Sequence, residues 1–409
     1  MSEPQTNPDS ILIVGGGHAA AQLCAALAAA GLGARVQLVC AEAELPYQRP
    51  PLSKAFLKNP EETLQLHRGE DWYAQAGIAV HRSDAVVAID RERRLVRLRS
   101  GLELGYARLV LATGSHARSL PGLAPGLANV ATLRSAADAL RLRALVGSCN
   151  GIAVLGGGFI GLEIAATARA LGKSVTVLES APRLLMRSVS PELADHVRKT
   201  HCDGGIDVRL GAKVTAFDVR ADRLVAIEVD GRREPVELLV LGVGAEPATQ
   251  LARDAGLPCD NGIVVDACLR TADPAILAVG DCANFPQQGS GARVRLESVQ
   301  NANDQARTAL ATLLGREEPY AASPWFWSDQ GSLRLQMAGL MPHDGTRHRR
   351  PGATAASFSI LHYRGEQLVC AESVNAPLDH MAARKLLEAG RSPAAALACD
   401  AAVPLKSHL

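Results

Sequence analysis

Apolar residues along this chain gather in short runs punctuated by glycine. Ile11–Val14 is one such run. Three glycines follow it, then a helix-favouring stretch over 19–30 that Gly31 and Gly33 close, then a second apolar run over 35–40. The pattern predicts strand, helix, strand, the parallel βαβ unit. It recurs a third of the chain later. An apolar run over 152–155 meets three more glycines, a helix is predicted over 162–171 with Gly172 at its end, and a strand follows over 174–178. Beyond about residue 322 the texture changes. "SPWFWSDQGSLRLQMAGL", "ASFSILHY" and "EQLVCAESV" alternate as antiparallel strands do, and "LDHMAARKLLEAGRS" reads as an amphipathic helix.

The glycine spacing gives these units a chemistry. Gly15, Gly17 and Ala20 fit GxGxxA, and Gly156, Gly158 and Gly161 fit GxGxxG. The first glycine permits a tight turn, the second lets a diphosphate approach the backbone, and the third small residue lets helix and strand pack closely. The helix N-terminus then offers free N–H groups and partial positive charge to the phosphates. Glu179 closes the second unit, 23 residues after Gly156. An acid there accepts hydrogen bonds from an adenosine ribose and repels a 2′-phosphate, which favours NAD over NADP.

One such fingerprint is weak evidence; two in full context imply two dinucleotides. FAD as a resident relay and NADH as the exchanged electron source fit, since a flavin accepts two electrons and releases them singly. Two further stretches favour FAD in the first unit. "LVLATGSHAR" is a strand ending in Ala112, Thr113 and Gly114, and "TADPAILAVGDCANFP" is a strand running into Gly280 and Asp281, an acid placed for ribityl or ribose hydroxyls. The expected fold is α/β: two Rossmann-like dinucleotide-binding domains of the glutathione-reductase type plus a small α+β domain. FAD-binding residues are expected over 1–118 and 249–322, an inserted NAD-binding domain over 119–248, and the α+β domain over 323–409.

Composition narrows this further. A chain of 409 residues is long for one core and suits two or three domains. A net charge of +1 gives nucleic acid or a membrane surface no bulk attraction. No apolar run is long enough to span a bilayer, and the polar start "MSEPQTNPDS" does not look like a secretory leader, so the expected location is cytoplasmic. The nine cysteines are scattered and form no CxxC. They read as mostly buried free thiols, neither a disulfide framework nor a metal site.

With these motifs in place the chain resembles the FAD-dependent, NADH-using ferredoxin reductases of bacterial oxygenase systems, those of aromatic-ring dioxygenases and the putidaredoxin reductase type. The resemblance runs nearly the whole length. "LPYQRPPLSKAFL", "GGGFIGLEIAATA", "AVGDCANFP", "RLESVQNANDQA" and "PWFWSDQ" carry it. It implies electron delivery to a [2Fe–2S] ferredoxin, of Rieske or plant/putidaredoxin type, by a monomer or weak homodimer. It implies that Lys54 and Glu163 pair at the hydride-accepting edge of the flavin, and that Trp327 is the electron exit, with Trp325 beside it. It places Ala19, Glu42, Arg49, Val86, Arg134, Glu297, Ser298 and Val299 among the FAD contacts. Phe159, Ile160, Arg187 and Gly244 fall on the NAD side. Where this family has redox cysteines in its disulfide-type relatives, this chain has "PYQRPPLSK", so no dithiol relay is expected. The chain departs from the family's pattern at Cys40-Ala41, where a ribose-binding acid usually stands; Glu42 is the expected replacement. The basic cluster "RHRR" at 347–350 reads either as a steering patch for an acidic ferredoxin or as a solvated loop.

Alternatives within the same class are a rubredoxin reductase or an NADH oxidase, although no peroxide-reactive cysteine is evident. Outside enzymes, the alternative is a redox-regulated binding flavoprotein like apoptosis-inducing factor.

Overall fold

The computed structural model describes residues 9–288 and 291–409. Most of the polar N-terminal stretch therefore lies outside the described residues. The chain divides into two compact units. The first comprises the chain up to Arg49, Leu64–His116 and Ala245–Ala322; the second comprises Pro50–Thr63, Ala117–Gly244 and Ser323–Leu409.

The first unit is built on a five-stranded parallel sheet in the order Ile276–Ala278, Arg108–Leu111, Ile11–Val14, Val36–Val39, Ala79–His81. Ile11–Val14 is central and fully buried, which is why it carries no polar residue. After Ile11–Val14 the chain adds strands first on one side and later on the other, so a crevice opens at its carboxyl end. The His18–Ala29 helix starts in that crevice and buries Leu23 and Leu27 in the core.

The second unit holds another five-stranded parallel sheet, in the order Asp207–Leu210, Ser174–Glu179, Gly151–Leu155, Leu238–Leu241, Val130–Ala131. It also holds a five-stranded antiparallel sheet in the order Trp325–Gln330, Leu333–Gly339, Gln367–Val374, Phe358–Arg364, Thr346–Pro351. The Pro377–Glu388 helix covers one face of it. Phe358–Arg364 is buried on both faces. Phe358 and Ile360 join the core around Leu162 and Val177, while Leu361 and Tyr363 pack with Leu386. The strict inside–outside alternation expected there is therefore absent.

The basic cluster is not a loop, and one of its arginines is not free. It lies in the Thr346–Pro351 strand. Arg350 is buried, pairs with Asp379 at 3.0 Å and donates to the carbonyls of Ala398, Asp400 and Val403. Arg349 pairs with Glu192. Edge-strand alternation explains the split, since every second side chain turns inward. No helix among the described residues is long and apolar enough to cross a membrane. All nine cysteines are free and six are buried; Cys202 is exposed.

Candidate active site

The first glycine loop is anchored where Gly15 N–H donates to the Val39 carbonyl at 2.8 Å. Gly15 has φ +122°, and a Cβ there would stand 2.1 Å from the Ala112 carbonyl oxygen on the neighbouring strand. Only glycine fits. Gly17 has nothing within 4 Å of a built Cβ, so the loop is open on that side. Gly17 also caps the His18–Ala29 helix without a side-chain hydrogen bond, leaving the first-turn N–H groups for a ligand. Ala20 is fully buried, as close helix–strand packing requires.

Several of the other expected FAD contacts of this unit gather around the same loop. A Cβ on Gly280, at φ +76°, would lie 3.4 Å from that of Ala19. Asp281 accepts from Ser115 Oγ at 3.1 Å, and Thr113 Oγ1 donates to the Ala248 carbonyl. Gly114 has φ +68°. Glu42 is engaged on both oxygens: Tyr47 donates at 2.5 Å and Arg49 at 2.7 Å. Burial opposes the Arg49 charge, but Tyr47, Glu42 and Asp281 outweigh it and hold that guanidinium above its ordinary pKa. Arg49 thus spends its charge on Glu42. Cys40 sits beneath the loop, its sulfur 3.0 Å from a Cβ built on Gly16, and burial with help from Glu42 pushes its thiol up to about 12. Both effects disfavour the thiolate that a nucleophile needs. Val86 opens the half-buried Val86–Asp90 strand. Ser298 caps the Val299–Leu313 helix by accepting from Asn301 N–H, which puts Val299 in its first turn, and the exposed Glu297 pairs with Arg295 at 2.5 Å.

The second loop repeats the geometry. Gly156 has φ +110°, and its Cβ would meet the Gly242 carbonyl oxygen at 2.4 Å; one on Gly161 would meet the Gly156 carbonyl at the same distance. Gly158 caps the Phe159–Ala170 helix, again without a side-chain bond. Phe159 packs edge-on against Phe326, while the Ile160 side chain is exposed beside the free helix end. Glu179 Oε2 accepts from Gly157 N–H at 2.6 Å and Oε1 from Ala181 N–H at 2.7 Å. Arg187 is exposed and reaches to 3.8 Å from a Cβ built on Gly244. Arg134 precedes a capping box, where its N–H and that of Ser135 donate to Asp138. Both loops therefore pair a helix N-terminus that has no side-chain cap with a glycine-lined approach, as a dinucleotide diphosphate needs.

The third cluster, also in the second unit, centres on Glu163, a buried carboxylate on the Phe159–Ala170 helix. Lys54 Nζ lies 2.6 Å from Glu163 Oε2. The same ammonium donates to the Pro50 carbonyl at 3.1 Å and to Ser53 Oγ at 3.2 Å, so its three protons are committed and its position is fixed. Ser53 Oγ donates to Glu163 Oε2 at 2.5 Å, and Ser328 Oγ donates to Oε1 at 2.7 Å. Sequence reasoning found Lys54 and Glu163 and missed both serines. A signal existed for Ser328: alternation within Trp325–Gln330 puts it on the Phe326 face, a polar residue among buried ones. Trp325 and Trp327 fall on the opposite face, half-buried and stacked at 5.7 Å, with Arg384 4.1 Å over the Trp325 ring.

Comparison with known proteins agrees. A family model described as pyridine nucleotide-disulphide oxidoreductase matches residues 9–306, and one described as reductase C-terminal matches 325–409. The chain is 42% identical over 407 residues to a terpredoxin reductase from a Pseudomonas species, covering 98% of both chains. It is 40% identical over 403 residues to the ferredoxin--NAD(+) reductase component of an anthranilate 1,2-dioxygenase system from Burkholderia cepacia, covering 98% of this chain and 99% of that one. Among solved structures it matches the ferredoxin reductase for the CYP199A2 system from Rhodopseudomonas palustris with a TM-score of 0.94, at 41% identity over 98% of this chain and 99% of that one.

Proposed function

This chain belongs to the pyridine nucleotide-disulphide oxidoreductases, and on that premise we propose that it is an FAD-dependent reductase taking electrons from NADH and delivering them to a [2Fe–2S] ferredoxin that serves an oxygenase. The observation that carries the reading is the pair of glycine cradles, each at the carboxyl end of its own parallel sheet. When bound, FAD supplies two-electron acceptance with one-electron release. The chain's own residues supply placement and charge. Gly15, Gly17 and the His18–Ala29 helix N-terminus hold the FAD diphosphate, and Asp281 holds hydroxyls of the same cofactor. Gly156, Gly158, Gly161 and the Phe159–Ala170 helix N-terminus hold the NADH diphosphate, and Glu179 and Arg187 flank its adenosine end. Lys54, held by Glu163, would offer a fixed cation to the flavin and would favour its taking up negative charge on reduction. Trp327, with Trp325, provides an aromatic surface for electron exit. The enzyme works in the cytoplasm, where its nine free thiols stay reduced, as a monomer or weak homodimer.

The test is anaerobic NADH-driven reduction of purified [2Fe–2S] ferredoxins, Rieske-type and plant-type, by the FAD-loaded protein. Reduction of one at several turnovers per second or faster is the expected result. Rapid flavin bleaching with every ferredoxin left oxidised overturns the partner assignment and directs attention to rubredoxin, oxygen or a regulatory partner.

A further inference from the structure

Glu163 is the end of a longer hydrogen-bonded chain. Ser328 Oγ donates to Glu163 Oε1 at 2.7 Å. Gln330 Nε2 donates to Ser328 Oγ at 3.1 Å, and Gln330 Oε1 lies 2.9 Å from His201 Nε2. Because the amide nitrogen is spent on Ser328, the amide oxygen accepts, and His201 carries its proton on Nε2. On the other side, Ser53 and Lys54 both donate to Oε2. Every donor therefore points toward one carboxylate. Ser53, Glu163, His201, Ser328 and Gln330 are all buried. They come from a short 3-10 helix, two α-helices and a strand of one unit.

A buried carboxylate without charge-assisted donors is costly to keep ionised and rotates toward whatever partner remains. Ser53 and Lys54 share one oxygen, and the Ser328 bond is what fixes the other. We propose that Ser328, oriented by Gln330 and His201, is a positioning residue: it holds Glu163 in the rotamer that places the Lys54 ammonium. The inference rests on the reading of Lys54 and Glu163 given above.

The test uses the FAD-loaded full chain. Flavin reduction by NADH is followed by anaerobic stopped flow, and the flavin midpoint potential is measured against a reference dye. Ser328→Ala is expected to slow reduction at saturating NADH about five- to tenfold, to leave the apparent Kd for NADH within about twofold, and to lower the midpoint potential. Ser328→Thr, which keeps the hydroxyl, is expected to restore both readouts. Gln330→Met, one bond further away, is expected to move both in the same direction by less, and it stands in if Ser328→Ala fails to fold. The proposal is overturned if Ser328→Ala and Gln330→Met match the parent in rate and potential, or if Ser328→Thr falls as far as Ser328→Ala, since bulk would then be the cause. Glu163→Gln separates the two readings. If it slows reduction while Ser328→Ala does not, only the positioning role fails; if it too is silent, the Lys54–Glu163 reading fails and takes the inference with it.

Discussion

Gly157 N–H donates to Glu179 Oε2 at 2.6 Å, so the acid that ends the second strand is tied into the glycine loop itself. A Cβ on Gly157 would stand only 3.0 Å from the same oxygen. The carboxylate is thereby fixed beside the cradle, and the proposed function sets the ribose hydroxyls of NADH against it. Glu179→Ala is expected to lower the ratio of NADH to NADPH efficiency by about tenfold or more, mainly through KM. Steady-state kinetics with both nucleotides checks it, and an unchanged ratio removes Glu179 from nucleotide selection.

Gly15 admits no side chain. In Gly15→Ala the new methyl would overlap the Ala112 carbonyl at a backbone angle that alanine disfavours. The variant is expected to lose bound FAD on purification, seen as a missing flavin absorbance per mole of protein, and to melt earlier than the parent.

Lys54→Met keeps an unbranched side chain only one atom shorter and removes its charge. Flavin reduction is expected to slow by about tenfold or more, and the flavin potential to fall, because the reduced form loses its fixed cation. The buried Glu163 is left with two hydroxyl donors, so the variant is also expected to lose stability.

His380 gives a stability signature in acid. It is buried against Trp325, with neither ring nitrogen hydrogen-bonded. Burial, then Arg384 and Arg334, push it down to about 4 from an ordinary 6.5. The unfolded chain therefore binds a proton at higher pH than the folded one does. Stability falls as pH drops from about 6.5 toward 4, by on the order of 3 kcal/mol for this group. His380→Phe is expected to flatten that part of the Tm-against-pH curve. An unaltered slope would assign the acid loss to other groups.

Both cradles were legible in the sequence because each is local. Strand, glycines, helix and Glu179 lie within one βαβ stretch, where spacing alone dictates geometry. Lys54 and Glu163 came from matching motifs, not from periodicity. Ser53 and Ser328 stayed hidden because they reach Glu163 across 110 and 165 residues of chain, and only the packing of three elements brings them together. Arg350 stayed hidden for the opposite reason. A run of charge suggests solvent, yet Arg350 finds an anion and three carbonyls that no local rule foretells.

That arginine also has a consequence for how the protein is made. Its carbonyl partners lie 48, 50 and 53 residues further along the chain. During synthesis Arg350 leaves the ribosome well before them, and at 5–20 residues per second the interval lasts roughly several seconds. Until Val403 has emerged, the guanidinium must stay hydrated and the outer strand of the sheet undocked. The nucleotide-binding core ahead of it is free to fold while translation continues, whereas the outer strand of the antiparallel sheet docks only after Val403 has left the ribosome.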